Sequence, residues 1–195
     1  DGSIITTAEE WEMRRGHIKN MLEHYIYGPR PSYRLNRVEK GDEYPDTRVS
    51  ENALTFFARL YYDQTRYFSI RVTRPAGLCS LPVIIRYESQ DTIRFPIEAE
   101  CISSGKYIII AINNLTAAPD NRRIEEPYMY EAKAIMAWAC AASLTVDYIE
   151  TQSFADCRNI AIAGMSRTGK AALCAGTYDE RFTVVIANSS GAAGA

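Results

Sequence analysis

The stretch Asn159-Ile160-Ala161-Ile162-Ala163-Gly164-Met165-Ser166-Arg167-Thr168-Gly169-Lys170 decides the fold. An apolar, β-prone run stops at Gly-x-Ser, and small, helix-forming residues follow in Lys170-Ala171-Ala172-Leu173-Cys174-Ala175. The reading is strand, sharp turn and helix with a serine on the turn, the arrangement called a nucleophile elbow. A serine on a strained backbone needs small neighbours, and Gly164 and Gly169 supply them. A helix that begins at the serine also points its free amides at the site where an oxyanion develops. One position departs from the usual G-x-S-x-G: Thr168 stands last, and the glycine comes one residue later.

Outward from this stretch the chain alternates strands and helices. Leu81–Tyr87 and Tyr107–Ile112 are nearly continuous apolar runs, which suit strands covered on both faces in a parallel sheet. A short helix is expected at 95–103 between them, and a long alanine-rich helix at 127–149, with Pro127 near its first turn. Strand 159–163, helix 167–177 and strand 182–187 complete the order. Nearer the start, 53–62 and 66–74 read as antiparallel strands joined by Asp63-Gln64-Thr65, with Phe68, Ile70 and Val72 on one face and Tyr67, Ser69, Arg71 and Thr73 on the other. Pro75-Ala76-Gly77 closes that unit. Thr7-x-x-Glu10 is a capping-box signature, and Trp11, Ile18, Met21, Leu22 and Tyr25 recur near helical spacing, predicting one packed helix face that Gly28-Pro29-Arg30-Pro31 ends. His17 and His24 fall on or near that helix and read as surface or packing residues. The fold class is α/β: an α/β-hydrolase fold, three-layer αβα, with a mostly parallel doubly wound sheet and antiparallel N-terminal strands, in a single domain over residues 1–195.

Composition narrows the function. With 22 Lys and Arg against 24 Asp and Glu, the formal net charge is -2, and no basic stripe marks a nucleic-acid surface. No apolar run approaches the length of a membrane span. The five cysteines, Cys79, Cys101, Cys140, Cys157 and Cys174, form no C-x-x-C pair and lie far in sequence from both histidines, which argues against a zinc site. Buried free thiols are the default reading, with one disulfide as the alternative. No metal or other cofactor is implied.

In α/β-hydrolases the triad follows the order serine, acid, histidine. Twenty-nine residues follow Ser166 in this chain of 195, and they include Asp179 and Glu180 but no histidine. Asp179 and Glu180 are poor triad acids, because they fall at the far end of a helix on the order of 15 Å long. The triad acid and histidine are therefore expected outside this segment, the domain is expected to be incomplete at its C-terminus, and the segment alone is expected to be inactive.

The chain resembles the bacterial branch of the glucuronoyl esterases, the carbohydrate esterase family 15 type, over its N-terminal portion. Three patches carry the resemblance: Arg14-Arg15 through Leu22 to Tyr25-Ile26-Tyr27-Gly28-Pro29-x-Pro31; Ala137-Trp138-Ala139 with Val146-Asp147-Tyr148-Ile149; and Gly164-Met165-Ser166-Arg167-Thr168-Gly169-Lys170 with Asp179-Glu180-Arg181-Phe182 and Ser190-Gly191-Ala192-Ala193-Gly194-Ala195. Residues 36–80 match only loosely. The resemblance implies a serine carboxylester hydrolase of plant cell-wall carbohydrate. It would cleave esters between lignin alcohols and the glucuronic acid groups of xylan through an acyl-enzyme. It implies Ser166 as nucleophile, Arg167 as guanidinium support for the oxyanion, and Lys170 as a ligand of the sugar acid or its hydroxyls. The competing readings are a structural ion pair for Arg167 and a solvated helix position for Lys170.

The implied partner is the carbohydrate ester, with no nucleic acid and no membrane, and such a substrate argues for export to the periplasm or beyond the cell. Many members carry a glutamate as triad acid where Ser189 stands here, flanked by Asn188 and Ser190. The second oxyanion donor is expected in Tyr87-Glu88-Ser89-Gln90, and Asn113, Asn114 and Thr116 follow the next strand at its carboxyl end, either as ligand contacts or as a plain polar loop. Two rival functions stand beside the main one: an acetylxylan or other small-acyl esterase or peptidase of the same fold, and a catalytically inactive carbohydrate-binding relative.

Overall fold

The computed structural model describes residues 2, 4–77, 80–88, 96–119 and 132–191. Its sheet starts with two short strands that the sequence does not announce, β1 (Arg37–Lys40) and β2 (Tyr44–Pro45), both antiparallel to β3 (Ala53–Tyr61). β3 and β4 (Tyr67–Pro75) form the expected hairpin, in register from Ala53 opposite Pro75 to Tyr61 opposite Tyr67. Asp63 shapes the loop between them, its carboxylate accepting from the Thr65 and Arg66 amides at 2.7 and 2.6 Å.

The sheet changes character beyond β4. β6 (Ile108–Asn113) runs antiparallel to β4, whereas β5 (Leu81–Glu88) lies parallel to β6 on one side and to β7 (Ala155–Met165) on the other. β8 (Val184–Asn188) adds a further parallel strand beside β7, giving the order β1-β3-β4-β6-β5-β7-β8. The chain leaves β5 to one side for β6 and crosses back to the other side for β7. That reversal is a topological switch point, where α/β sheets bind ligands at the carboxyl ends of their strands.

Five α-helices are described: α1 (Ala8–Leu22), α2 (Pro96–Ser103), α3 (Asn114–Ala117), α4 (Ala134–Ile149) and α5 (Arg167–Tyr178). α4 and α5 pack on one face of the sheet. Its core joins Trp138, Met136 and the alanines of α4 to Ile85, Ile108, Ile110, Ile112, Ile160 and Ile162, with Ala171, Ala172 and Cys174 of α5. α2 covers part of the opposite face, where Ile102 meets Ile109, Val49 and Ala53. Layers on both sides of a mixed sheet thus match the expected architecture. Run length explains β6, which is buried from Ile108 to Ile112 because helices lie on both its faces.

Several expectations need adjustment. The capping box of α1 is present: the Thr7 hydroxyl accepts from the Glu10 amide at 3.2 Å, and the Glu10 carboxylate accepts from the Thr7 amide at 3.1 Å. The packed face is not, because Trp11, Met21 and Tyr25 are exposed and only Leu22 of the expected set leans on the core. Helical spacing places side chains on one side of a cylinder, but burial needs a surface opposite them. The helix expected over 127–149 begins at Ala134; Pro127 lies outside the described residues. β7 starts at Ala155, earlier than the expected 159, and pairs there with Leu81. Four cysteines are free thiols: Cys140 and Cys174 are buried as the default reading has it, Cys101 and Cys157 are only half-buried, and Cys79 falls outside the described residues. Burial pushes the Cys140 and Cys174 thiols up to about 11 and about 12, so both behave as small apolar groups.

Candidate active site

The site grows out of the junction of β7 and α5. Ser166 sits between them at φ 57°, ψ −122°, a left-handed conformation that costs a non-glycine residue on the order of 1–3 kcal/mol. Neighbours hold it there. Its amide donates to the Asn188 carbonyl at 2.9 Å, and its carbonyl accepts from the Lys170 amide at 3.1 Å. The turn is so tight that a Cβ on Gly164 would lie 2.1 Å from the Thr168 carbonyl oxygen. A Cβ on Gly169 would meet the Asn188 carbonyl oxygen at 3.0 Å. Gly164 is therefore required by close backbone approach and Gly169 is favoured by it, as the sequence suggested, although the second is displaced from its usual place.

Thr168 fills the usual glycine position. Its hydroxyl accepts from the Met165 amide at 2.9 Å and donates to the Met165 carbonyl at 2.8 Å. Ser166 is the N-cap of α5, yet its own side chain makes no capping bond. Its hydroxyl is exposed to the cleft described next.

That cleft has a volume of about 610 Å³ and opens at the carboxyl ends of β5, β7 and β8. Ser166, Arg167 and Asn188 line its rim, with Trp138 and Asn114 beside them; Ile84, Ile97 and Ile109 form an apolar wall. Arg167 opens α5, so its backbone N–H lies in the first turn, where no earlier carbonyl of the helix precedes it, and the residue is exposed and lines the cleft next to the serine. The arrangement places a hydroxyl, a helix N-terminus and a cation at one point. It can attack a carbonyl carbon and stabilise the resulting alkoxide.

Lys170 lies one turn further along α5, with its ammonium near Gly191 and not among the residues that line the cleft. Among the described residues it makes no ion pair. Asp179 and Glu180 stand at the far end of α5, about 18 Å of helix from Ser166. Both are occupied: Asp179 takes two bonds from the Arg181 guanidinium, at 2.9 and 2.7 Å, and Glu180 takes one from Arg15 at 2.7 Å. Burial raises the Asp179 carboxyl, but hydrogen bonds from the Arg181 side chain and amide outweigh it, and the net shift is downward. His17 and His24 are exposed on α1 and the π-helical turn after it, on the side where Arg15 meets Glu180. Neither histidine reaches the elbow. Ser189, at φ 47°, follows β8 directly, and its hydroxyl donates to the Asn188 side chain at 3.0 Å. Among the described residues no cluster of His, Cys, Asp and Glu could hold a metal.

Other expected site residues divide. Asn114 is buried and lines the cleft, but Thr116 is structural: it donates to the Asn113 carbonyl at 2.7 Å and accepts from the Ser69 amide at 2.9 Å. In the expected second oxyanion segment, the Tyr87 hydroxyl is turned into the core against the Trp138 carbonyl; Ser89 and Gln90 lie outside the described residues.

One feature of the cleft wall has no sequence signal. Arg71 of β4, Arg86 and Glu88 of β5, and Glu98 of α2 form a closed ring of ion pairs at 2.7 to 3.0 Å. Arg71, Glu88 and Glu98 are each at most 5 % exposed in their side chains. Two positive and two negative groups cancel, which is what permits their burial. Strand periodicity shows only that Arg71, Arg86 and Glu88 alternate with apolar residues. The partner that buries them comes from a separate helix.

Comparisons with known proteins converge on one family. The family model described as "Glucuronyl esterase, fungi" matches residues 61–195. A 4-O-methyl-glucuronoyl methylesterase 1 of Wolfiporia cocos is 28% identical over 211 aligned residues, covering 100% of this chain and 48% of its own length. Among solved structures, a carbohydrate esterase family 15 glucuronoyl esterase from Caldicellulosiruptor kristjansonii superposes with a TM-score of 0.74 at 26% identity, over 100% of this chain and 54% of its own. A glucuronoyl esterase from Solibacter usitatus shares the fold at a TM-score of 0.80 and 23% identity, over 97% of this chain and 61% of its own. The chain spans about half the length of the curated relatives it matches.

Proposed function

Because the chain belongs to the glucuronoyl esterase family, we propose that Ser166 is the nucleophile of a serine carboxylester hydrolase that cleaves glucuronoyl esters linking lignin alcohols to glucuronoxylan. The observation that carries this reading is Ser166 itself: a strained, uncapped serine at the N-terminus of a helix, facing an open cleft beside Arg167. Its Oγ attacks the ester carbonyl carbon, and the carbonyl oxygen becomes an alkoxide. The Arg167 amide and guanidinium stabilise that charge, the lignin alcohol departs with a proton, and water then releases the sugar acid from the acyl-enzyme. A histidine and a carboxylate from elsewhere in the full protein supply proton transfer, since both histidines and the carboxylates of Asp179 and Glu180 lie remote from Ser166. Lys170, one turn along the same helix, binds the sugar acid or its hydroxyls. Such a substrate argues for export to the periplasm or beyond the cell.

The test is labelling by a fluorophosphonate probe, read by intact mass, on the full protein with Ser166→Ala as control, followed by hydrolysis of a methyl glucuronate ester and of an acetyl ester. Labelling lost in the variant, with preference for the glucuronate ester, is the expected result. A folded full protein that takes no label would instead favour the inactive relative that Ser189, in place of a glutamate, would fit. Preference for the acetyl ester would move the substrate to the small-acyl class.

A further inference from the structure

A serine at a helix N-cap ordinarily turns its hydroxyl back to accept from the amides of the first turn. Ser166 occupies that position in α5 and makes no such bond. The turn before the helix is held by Thr168, whose hydroxyl bonds both backbone groups of Met165, at 2.9 and 2.8 Å. One hydroxyl can do this because it donates once and still offers lone pairs. The pattern resembles a capping box, in which a side chain inside the helix reaches back to the backbone before it, here shifted one residue toward the N-terminus.

We propose that Thr168 is a positioning residue: by fixing the Met165 peptide it holds the turn that keeps Ser166 in its strained conformation, with its hydroxyl turned to the cleft and not back onto the helix. This rests on the esterase reading of Ser166. Three observations converge on it. Ser166 is held at φ 57°, a conformation it would leave if released. Gly164 and Thr168 are in backbone contact, so the peptide on either side of Met165 cannot shift without moving Thr168. Thr168 also stands where a glycine is usual, and a glycine there could not make either bond. In this chain the hydroxyl holds the turn.

The experiment compares Thr168→Val, which keeps the shape and removes the hydroxyl, with Thr168→Ser, which keeps the hydroxyl, in the full protein. The second-order rate of fluorophosphonate labelling and the kcat and KM for a methyl glucuronate ester are measured, together with hydrogen exchange of the Met165 amide. The expected result for Thr168→Val is about a tenfold fall in labelling rate and kcat with KM little changed. Thr168→Ser should restore both, and the Met165 amide should exchange faster in the valine variant alone. A purely structural role would lower the melting temperature while the folded fraction labelled at the wild-type rate, and that result overturns the proposal. So does an unchanged Met165 exchange rate in Thr168→Val. Absence of labelling in the wild type would overturn the esterase reading instead, and the exchange measurement would still decide whether Thr168 holds the turn.

Discussion

The Ser166 amide donates to the Asn188 carbonyl at 2.9 Å, so the turn that carries the serine is fastened to the last residue of the neighbouring strand. The serine's position thus depends on the spacing between α5 and β8, which Gly169 sets. A Cβ at Gly169 would press on that same carbonyl at 3.0 Å, whereas one at Gly164 would strike the Thr168 carbonyl at 2.1 Å. Gly164→Ala is expected to cost about 3 kcal/mol or more, and Gly169→Ala about 1–2 kcal/mol, because only the second contact can relax by a small strand shift. Urea midpoints of the two variants check the order. Equal midpoints would contradict the geometry.

Lys170 gives the substrate reading a separate handle. Its ammonium lies by Gly191, one turn from the nucleophile, and makes no ion pair among the described residues. Replacing it with methionine keeps the stem and removes the charge. Expected is a rise in KM of about tenfold for a glucuronate ester, with the KM for an acetyl ester unchanged. If both substrates respond alike, Lys170 is an ordinary surface lysine.

Breaking the buried ring should be costly in proportion to what it strands. Arg71→Met leaves the Glu88 and Glu98 carboxylates sharing one guanidinium in a buried site. A loss of about 3–5 kcal/mol is expected. The double variant Arg71→Met with Glu98→Gln should recover part of it, because it restores charge balance between Arg86 and Glu88. Equilibrium unfolding of the wild type, single and double variants forms the check.

Asp179 sets a pH prediction. Its carboxyl is held below its ordinary value of 3.8, because Arg181 hydrogen bonds outweigh burial. A depressed carboxyl binds fewer protons folded than unfolded. Its stabilisation is therefore whole above the unfolded value and disappears as pH falls through the folded one. Asp179→Asn should lower stability by about 1–2 kcal/mol at neutral pH, a figure reduced by the part exposure of Arg181. It should also flatten the loss of stability below about pH 4. Chemical unfolding across pH 3 to 7 would reveal a parallel offset instead if the carboxylate's charge played no part.

The site was legible in the sequence where the chemistry is local. Gly164, Ser166 and Gly169 lie within six consecutive residues, and backbone strain at such a turn dictates residue types directly. The capping box at Thr7 and the loop at Asp63 were legible for the same reason. What escaped depends on contacts distant in sequence. Alternation puts Arg71 on the second face of its strand, but only the arrival of Glu98 from α2 makes that face interior. Trp11 and Tyr25 have helical spacing without an opposing surface, and spacing alone cannot report one. The N-terminal strands β1 and β2 are short and half polar, so they owe their form to β3 and not to their own propensity.

The ring of Arg71, Arg86, Glu88 and Glu98 also acts as a key for alignment. In a parallel sheet, sliding a strand by one residue turns every side chain to the opposite face. If β5 slipped so, Ile85 and Tyr87 would take the places of Arg86 and Glu88, leaving Arg71 and Glu98 facing hydrocarbon, while two charges entered the core under α4. No apolar run as uniform as Val83–Ile85 could prevent that error on its own, since its neighbouring residues are nearly interchangeable. Four charges drawn from two strands and a helix make one alignment affordable and the next prohibitive. The same alignment places the end of β5 beside the serine.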